Sequence, residues 1–374
     1  MNREYNVEYR RRNFIHIKMF LLSILLIFFG IKTLSIDTDR ISIVQMSRVV
    51  FFVTPLIIGI FANIYLGLIV FKSKLLKNLD KTIKIIYRVM LFVSLFYIIE
   101  YIGLPIIQSF IDTSSLTRIP GKDNFLNSIT YIILNHSSNF LKGILMTLLL
   151  SLTGTVIGLI LAFIFVIIRT QDINIRDNEV LVFIKSLGIK FVKVYVNVFR
   201  GTPMMVQAVL IYYLLPMFIA STLGVPQSSV DRIFTITLSG IIIVSLNTTA
   251  YLVEVLRGGI EAIDKGQMEA ARSLGLTYKE AMFKIILPQA IKNVLPSIIN
   301  EFIINIKDTS VLNIIGVAEL FFIANDVKQK YFRTYEPFVI AGLIYLVLTL
   351  TTSKLLVVVE KKLSLSETPL PSSN

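Results

Sequence analysis

The sequence contains no cysteine, no tryptophan and only two histidines among its 374 residues. Without cysteine the chain has no disulfide framework, no iron–sulfur site and no thiolate nucleophile. His16 and His136 are far apart in the sequence and do not have the spacing of a metal site. These absences exclude a disulfide-stabilised secreted domain and the common metal centres.

Charged residues are also scarce. They make up 16% of the chain, whereas 55% of the residues are hydrophobic and the mean hydropathy is +0.75. A soluble domain has about a quarter of its residues charged. Residues 143–168 (GILMTLLLSLTGTVIGLILAFIFVII) form an uncharged run longer than the roughly 18 residues that indicate a membrane span. The composition therefore predicts a polytopic integral membrane protein, with His16 at headgroup level and His136 in a polar loop.

The sequence offers no means of driving a reaction by itself. It contains no G-x-x-x-x-G-K-[ST] phosphate-binding loop, and its one Gly-Lys pair, Gly121-Lys122, is followed by aspartate. No paired acids, activated nucleophile or metal ligands stand at catalytic spacing. We therefore expect a transport protein rather than an enzyme, with the energy for transport supplied by a partner chain.

Apolar segments of membrane-spanning length predict an all-α fold with about eight transmembrane helices. The first of them follows Arg10-Arg11-Arg12 and has no small-residue cleavage site after it, which favours an uncleaved signal anchor. The predicted spans are residues 15–36, 47–71, 85–111, 143–168, 201–220, 233–256, 288–305 and 337–359.

Basic residues orient these spans. The alternate loops 1–18, 72–88, 169–193, 257–292 and 354–362 hold 25 of the 37 Lys and Arg, and the intervening loops hold 11. Short cytoplasmic loops carry the excess of Lys and Arg, so this asymmetry predicts that both termini are cytoplasmic. The net charge of +13 then suits anionic membrane lipid and a cytoplasmic partner rather than nucleic acid.

A polar stretch, 112–140, suggests how the chain is divided. We expect residues 1–130 to be an N-terminal extension with three spans and an outside loop, and residues 140–362 to be a five-span core. Residues 363–374, which include SLSETPLPSSN, are expected to be a disordered cytoplasmic tail.

Residues 257–287, between two apolar spans on the predicted cytoplasmic side, contain the signals of two short helices. Asp264 is suited to cap the first helix, and Gly275 is suited to the left-handed position that ends it. Thr277 and Glu280 have the spacing of a capping box for the second helix. By itself this pattern fits either a docking element for another protein or an interfacial helix that merely connects two spans.

Part of this loop resembles a known family motif. Glu269-Ala270-Ala271, three residues, Gly275, nine residues and Ile285-x-Leu287-Pro288 are similar to the EAA motif of ABC-importer permeases. In that family the loop is a coupling helix seated in a cleft of the cytoplasmic ATPase. The resemblance therefore assigns ATPase coupling to Glu269, Ala270, Ala271, Gly275, Leu287 and Pro288.

Further segments resemble the polar and general L-amino acid branch of these permeases. They are Phe199–Pro203 (FRGTP) with Gln207, Ala250-Tyr251 with Glu254 and Arg257–Ile260 (RGGI), and Lys307–Ser310 (KDTS) with Glu319-Leu320. The resemblance covers roughly residues 140–362, which in that family form the complete core. Residues 1–130 depart from the basic five-span pattern and resemble the long permeases of general and neutral amino acid importers.

The resemblance also implies partners and a location. It implies a cytoplasmic ATPase dimer that holds ATP and magnesium, an extracytoplasmic amino-acid-binding protein, and a second permease that is either a homologous chain or a second copy. It implies no cofactor on this chain, and a multi-pass position in a bacterial inner membrane.

Polar residues within the apolar segments are candidates for the substrate path, because such side chains are costly in a membrane unless paired. For Asn247, Thr248 and Glu254 interhelical hydrogen bonding is the simpler role, and for Glu301, Lys307 and Asp308 an internal ion pair is the alternative. Gly154 and Gly158 form a G-x-x-x-G pattern that predicts close helix packing. Thr202 is expected to cap a span whose first residue is Pro203. The candidate substrate-path residues are Gln207, Asn247, Thr248, Glu254, Glu301, Lys307 and Asp308.

The leading hypothesis is thus the transmembrane subunit of an ABC importer for polar or general L-amino acids, working by alternating access. An ion-coupled secondary transporter or channel without an ATPase is the alternative. A membrane-embedded enzyme ranks last, because no catalytic constellation is present.

Overall fold

The computed structural model describes residues 98–171, 173 and 177–364, together with Leu21, Ile24, Arg88 and Leu95. The chain divides into two compact units, Met1–Leu116 and Thr117–Asn374. The predicted spans 15–36 and 47–71, the first part of 85–111, and residues 365–374 lie outside the described residues, apart from the four single ones. The predicted count of eight spans is therefore not confirmed.

The described part of the first unit is helical. A π-helical turn, Ile99–Gly103, leads directly into α1, Leu104–Ser114. Pro105 lies in the first turn of α1, where its missing amide hydrogen breaks no helical hydrogen bond.

The second unit consists of helices and turns throughout its described residues. Its elements are α2 (Phe125–Arg169), α3 (Glu179–Gly201), α4 (Met204–Leu223, with a π turn at Leu210–Leu214), α5 (Gln227–Ile233), α6 (Ile236–Glu261), α7 (Lys265–Ser273), α8 (Tyr278–Ala281), α9 (Leu287–Asp308), α10 (Leu320–Tyr331) and α11 (Glu336–Ser364). A π turn, Met282–Ile286, joins α8 to α9, and a 3-10 helix, Thr309–Ile315, follows α9.

Five of these helical segments are long and apolar enough to cross a membrane, and they agree with the last five predicted spans. They are α2, α4, α6, the continuous run Tyr278–Ile315 and α11 up to Leu356. Their bounds differ from the predictions most at the start of α2. That helix has 45 residues, which corresponds to about 67 Å at 1.5 Å per residue. The hydrocarbon core of a bilayer is only about 30 Å thick, so α2 projects well beyond it.

Two segments predicted as loops are helical instead. Residues 125–142 form the first part of α2, because Ile132 and Phe140 are buried against Leu320 and Val327 of α10. Because residues 135–139 are polar, the search for apolar segments did not include this part of the helix. Residues 179–201 form α3, which starts at Asn178, whose side chain accepts a hydrogen bond from the Leu181 amide at 2.8 Å.

Helix α3 is amphipathic, which explains why a search for apolar segments missed it. Its lysines Lys185, Lys190 and Lys193 interrupt every long apolar run. Val192 and Val196 are buried with residues of α2 and α6, whereas Phe183, Leu187 and Phe191 are more than half exposed.

Glycine residues of α2 allow this helix to pack closely against α6. A Cβ atom added to Gly154 would lie 2.4 Å from Val244 Cγ1, and one added to Gly158 would lie 2.9 Å from Thr248 Cβ. Both contacts confirm the predicted close packing, and they show that α2 and α6 run in the same direction. We call the end of the second unit where α2 and α6 finish the coupling end, and the end where α2 begins the far end.

Candidate coupling loop and polar core

Helix α7 has the start and the end that the sequence predicted. The Asp264 carboxylate accepts a hydrogen bond from the Gly266 amide at 2.7 Å. At the other end Gly275 has φ +86°, and its amide donates to the Arg272 carbonyl. The Leu276 amide donates to the Ala271 carbonyl, which completes a Schellman motif. These bonds fix the direction in which the chain leaves α7.

Helix α8 begins with the predicted capping box. The Thr277 hydroxyl accepts from the Glu280 amide at 3.2 Å, and the Glu280 carboxylate accepts from the Thr277 amide at 2.9 Å. Pro288 does not begin a separate helix, because the run is helical from Tyr278 to Ile315. The π turn Met282–Ile286 lies just before Pro288, where the proline lacks an amide donor and its ring crowds the preceding turn. The coupling loop is therefore connected rigidly to the following span.

Within α7 one side is packed and the other is exposed. Ala271 is only 1% exposed, whereas Glu269 and Ala270 face solvent. Leu274, beside Gly275, is 82% exposed. Sequence reasoning missed Leu274 because it fell between the quoted motif positions. The available signal was an apolar residue at the end of a mostly polar helix, where no span among the described residues covers it.

The end of α2 is bound to both sides of this loop. The Arg169 guanidinium forms a salt bridge with Glu254 of α6, and Arg257 Nε contacts the same carboxylate at 2.9 Å. The Tyr278 hydroxyl of α8 donates to the Thr170 carbonyl at 3.3 Å. The carboxylate of Glu254 is therefore occupied by two cations at the coupling end, which favours the structural role that the sequence had left open.

A second close contact joins α6 to α9. A Cβ atom added to Gly259 would lie 2.2 Å from Val294 Cγ1 and 3.3 Å from the Ala290 carbonyl oxygen. Gly259 lies two residues before the end of α6, and Val294 lies in the second turn of α9. Helix α6 enters the coupling loop and helix α9 leaves it. The two helices are thus in close contact, with the Gly259 backbone against the Val294 side chain.

Three buried side chains from three helices meet at mid-height. Asn305 Nδ2 of α9 donates to Thr155 Oγ1 of α2 at 2.8 Å and to Thr248 Oγ1 of α6 at 2.9 Å. All three are less than 10% exposed. Thr248 is therefore an interhelical contact, which is the simpler of its two predicted roles. Sequence reasoning missed Asn305, although an asparagine in an apolar segment is a recognised signal.

The buried side chain of Gln207 stabilises the turn between α3 and α4. Gln207 Nε2 donates to the Phe199 carbonyl at 2.9 Å, to the Thr202 carbonyl at 3.0 Å and to Thr202 Oγ1 at 2.9 Å. Gln207 Oε1 accepts from Asn247 Nδ2 of α6 at 3.1 Å. Both amide side chains are thus paired within the chain. In α6, Tyr251 supports the guanidinium of Arg200, which lies 5.4 Å from the ring centroid.

The predicted cap at the start of α4 is wrong. Pro203, rather than Thr202, occupies the N-cap position and makes no side-chain cap bond. The Thr202 hydroxyl instead donates back to the Val198 carbonyl of α3 at 2.8 Å. Gln207 Nε2 donates to the Phe199 and Thr202 carbonyls, so the carbonyls of this turn have partners.

The three charged candidates of α9 are placed differently from the polar triad. Glu301 is partly buried, and Lys307 and Asp308 are exposed near the end of the helix. Glu301 and Asp308 are separated by two helical turns and lie on one face. The salt bridges found among the described residues include none of the three, so the predicted alternative of an internal ion pair receives no support there.

The far end has its own polar contacts. His136, predicted in a loop, is buried within α2, and its Nε2 lies 2.9 Å from the Tyr331 hydroxyl. The loop prediction was wrong because residues 125–142 are helical. Glu319 is fully buried and caps α10, accepting hydrogen bonds from the Phe322 amide at 2.8 Å and the Tyr345 hydroxyl at 2.7 Å. In the described part of the chain no group of acidic or histidine side chains is arranged to hold a metal ion.

The fold and the site together define a class: a helical membrane protein with a capped, exposed loop between two of its spans. The family described as "binding-protein-dependent transport system inner membrane component" matches residues 183–365. The arginine transport system permease protein of Bacillus subtilis is 34% identical over 60% of this chain and 91% of its own length. The putative glutamine transport system permease protein of Rickettsia typhi is 33% identical over 60% of this chain and 92% of its own length.

A solved structure gives the same result. The chain is 34% identical to the crystal structure of an amino acid ABC transporter with histidines, with a TM-score of 0.50 over 62% of this chain and 96% of that one. The chain belongs to the family of binding-protein-dependent transport system inner membrane components. It is a permease subunit of an ABC importer.

Proposed function

We propose that this permease carries L-amino acids, with substrate delivered by an extracytoplasmic binding protein and motion supplied by a cytoplasmic ATPase dimer. The similar permeases named for arginine and glutamine support the substrate class. The observation that carries the mechanism is the exposed Leu274 next to the left-handed Gly275, held on two capped helices. An exposed apolar side chain on a rigid turn is suited to a cleft on another protein.

The contacts of the coupling loop give a route for motion. A push on α7 reaches α8 through their Schellman turn and reaches α9 without a break in the helix. It reaches α6 through Gly259 against Val294. The Tyr278 bond to Thr170 carries it to α2. In this proposal Glu269 and Ala270 face the ATPase. Ala271 packs α7 against the rest of the chain, and Leu287 and Pro288 begin α9.

For the substrate path we propose two groups of residues with separate roles. Gln207, Asn247 and Thr248 hold the helices together around the path, since their side chains are paired with one another or with Asn305. Glu301 and Asp308 attract the ammonium group of an amino acid, and the neighbouring Lys307 attracts its carboxylate. Glu254 acts outside the path as a partner of Arg169 and Arg257.

The arrangement in the membrane is part of the proposal. The coupling end faces the cytoplasm, the far end faces outward, and a second permease, either a homologous chain or another copy, completes the path. The Lys- and Arg-rich loops at the coupling end support this orientation. The comparisons give no support to the alternative of an ion-coupled secondary transporter.

Reconstitution tests the function directly. The permease is placed in proteoliposomes with its ATPase, and radiolabelled amino acids are supplied with the soluble binding protein outside and ATP inside. We expect uptake that requires both ATP and the binding protein. Uptake that follows an imposed proton or sodium gradient without ATP would contradict the proposal, and competition among the common amino acids identifies the substrate.

A further inference from the structure

A cavity of about 390 Å³ lies at the coupling end, between the end of α2, the start of α3 and the helix that follows the coupling loop. We call it the loop-base cavity. Its volume is within the roughly 300–1,000 Å³ that is usual for ligand sites. Four of its lining residues are exposed, and they form its rim: Gln171, Leu181, Lys279 and Phe283. The cavity is therefore open to the surface of the protein.

The loop-base cavity lies where membrane spans end. Arg169 is the first charged residue after the uncharged run 143–168, which is long enough to cross the hydrocarbon core. Ile167, two residues before Arg169, lines the cavity, and so does Thr170, one residue after it. Leu287, directly before the predicted span 288–305, lines it as well. The cavity is therefore at the level of the lipid headgroups.

The lining combines apolar and polar side chains. The apolar ones include Ile167, Leu181, Met282 and Leu287, and the polar ones include Gln171, Lys185 and Lys279. No acidic side chain is among the described residues that line the cavity. A ligand that fills this space therefore needs an apolar portion together with a group that accepts hydrogen bonds from basic side chains.

Two other polar groups of the lining are occupied within the protein. The Tyr278 hydroxyl donates to the Thr170 carbonyl at 3.3 Å, and the Thr170 hydroxyl donates to the Val166 carbonyl at 2.8 Å. The last carbonyls of a helix are its negative end and oppose the binding of an anion. Because protein donors satisfy these two carbonyls, this opposition is reduced at the end of α2.

The two lysines of the lining differ in their partners. Lys185 Nζ lies 2.6 Å from the Asp177 carboxylate, so its charge is largely neutralised. Lys279 takes part in no salt bridge among the described residues, and the adjacent Glu280 is paired with Lys284 at 3.4 Å. The attraction for an anion therefore comes mainly from Lys279.

The surface beside the cavity is apolar. Phe183 and Ile184, which lie in the sequence between the lining residues Leu181 and Lys185, are more than half exposed. Phe283, on the other side of the cavity, is 43% exposed. Apolar side chains exposed at the headgroup level contact lipid chains, whereas a soluble anion gains nothing from them. The surroundings therefore favour a lipid over a free phosphate compound.

We propose that the loop-base cavity binds an anionic phospholipid. The phosphate accepts hydrogen bonds from Lys279 and Gln171, and an acyl chain lies against Leu181 and Phe283 at the rim. The bound lipid connects α2 and α3 to the helix that follows the coupling loop, and it stabilises this end of the permease. The inference depends on the lining and on the level of the cavity, and it requires neither the amino acid substrate nor the ATPase.

The test uses the assembled transporter in detergent, with phosphatidylglycerol as the probe. Native mass spectrometry gives the dissociation constant, and phosphatidylcholine with the same acyl chains is measured beside it. We expect phosphatidylglycerol to bind at least about fivefold more tightly, because one lysine near a membrane surface contributes about 1 kcal/mol to the binding of anionic lipid. It should also raise the melting temperature. Glycerol 3-phosphate, a soluble phosphate ester, should not displace the lipid.

Variants locate the site. Lys279→Gln removes an exposed charge, and we expect it to raise the dissociation constant for phosphatidylglycerol about fivefold while the melting temperature without lipid is unchanged. Lys279→Glu should abolish the preference over phosphatidylcholine. The matched control, Lys190→Gln, removes an exposed lysine of α3 that does not line the cavity, and it should leave the affinity unchanged.

Three results would overturn the inference. The first is equal affinity of the wild-type transporter for the two lipids. The second is an equal loss in Lys279→Gln and Lys190→Gln, which would mean a diffuse attraction to the surface. The third is displacement of the lipid by an equal concentration of glycerol 3-phosphate, which would mean a site for soluble anions. Amino acid uptake by a wild-type transporter that shows any of these results would leave the proposed function intact.

Discussion

Arg169 at the end of α2 forms a salt bridge with Glu254 of α6, about two helical turns before α6 ends at Glu261. The two side chains are 16% and 20% exposed. Glu254 also accepts from Arg257 of its own helix. The pair therefore joins two parallel helices at the place where the loop enters, and a carboxylate that the sequence suggested for the substrate path serves here as a link between helices.

Exchanging the two charges tests this link. Arg169→Glu places two carboxylates together, and we expect it to destabilise the permease by about 1–2 kcal/mol, between the values for exposed and buried pairs. The double variant R169E/E254R restores the attraction, although Arg257 then lies beside a like charge. Thermal unfolding of all four proteins in detergent gives the coupling energy. A value near zero would mean that the pair contributes no stability.

The conformation of Gly275 gives a second prediction. No atom lies within 4 Å of a Cβ built on Gly275, so a side chain there is strained by φ +86° and not by a clash. Gly275→Ala should destabilise the loop by about 1 kcal/mol, and Gly275→Asn by less, because asparagine tolerates the left-handed conformation. Gly275→Arg should insert normally yet uncouple uptake from ATP hydrolysis. The ratio of amino acid taken up to ATP hydrolysed is the measurement, and a wild-type ratio for Gly275→Arg would remove the coupling role of this turn.

The contact between Gly259 and Val294 predicts a rescue. Gly259→Ala places a methyl group 2.2 Å from Val294 Cγ1, and we expect it to destabilise the permease by about 1–3 kcal/mol through overpacking. Val294→Ala alone should also destabilise, because it removes a buried side chain. The double variant should be more stable than the sum of the two single effects implies, since the clashing atom is gone. Additive melting temperatures would show that α6 and α9 do not pack in this way.

Glu301 tests the proposed substrate path. Glu301→Gln keeps the shape and removes the charge, so we expect the half-saturating concentration for uptake to rise or the maximal rate to fall by about tenfold, which corresponds to about 1.4 kcal/mol. Asp231→Asn, on the exposed helix α5, is the matched control and should transport normally. Stimulation of ATP hydrolysis by the binding protein should persist in Glu301→Gln. Normal uptake kinetics in Glu301→Gln would exclude a substrate role for this carboxylate.

Local signals in the sequence were sufficient where the structure depends on neighbouring residues. Asp264, Gly275 and the pair Thr277–Glu280 act within one helical turn, and the structure confirms all of them. The G-x-x-x-G spacing of Gly154 and Gly158 likewise predicted close packing because one helix face carries both residues.

The failures concern structure that depends on distant partners. Residues 125–142 are helical because α10 and α11 cover their apolar side chains, which no local pattern reveals. Helix α3 carries lysines throughout and is recognised only once Val192 and Val196 meet α2 and α6. The role of Asn305 depends on two threonines from other helices. Thr202 does not cap α4, and its hydroxyl instead donates to the Val198 carbonyl and accepts from Gln207 of the next helix.

In the proposed mechanism a partner ATPase pushes on the loop around Leu274. Because the chain has no cysteine, Leu274→Cys provides a single thiol for a maleimide that cannot cross membranes. We expect labelling in inside-out vesicles stripped of the ATPase, protection when the ATPase is added back, and no labelling of intact cells from outside. Labelling from outside, or equal labelling with and without the ATPase, would contradict the account.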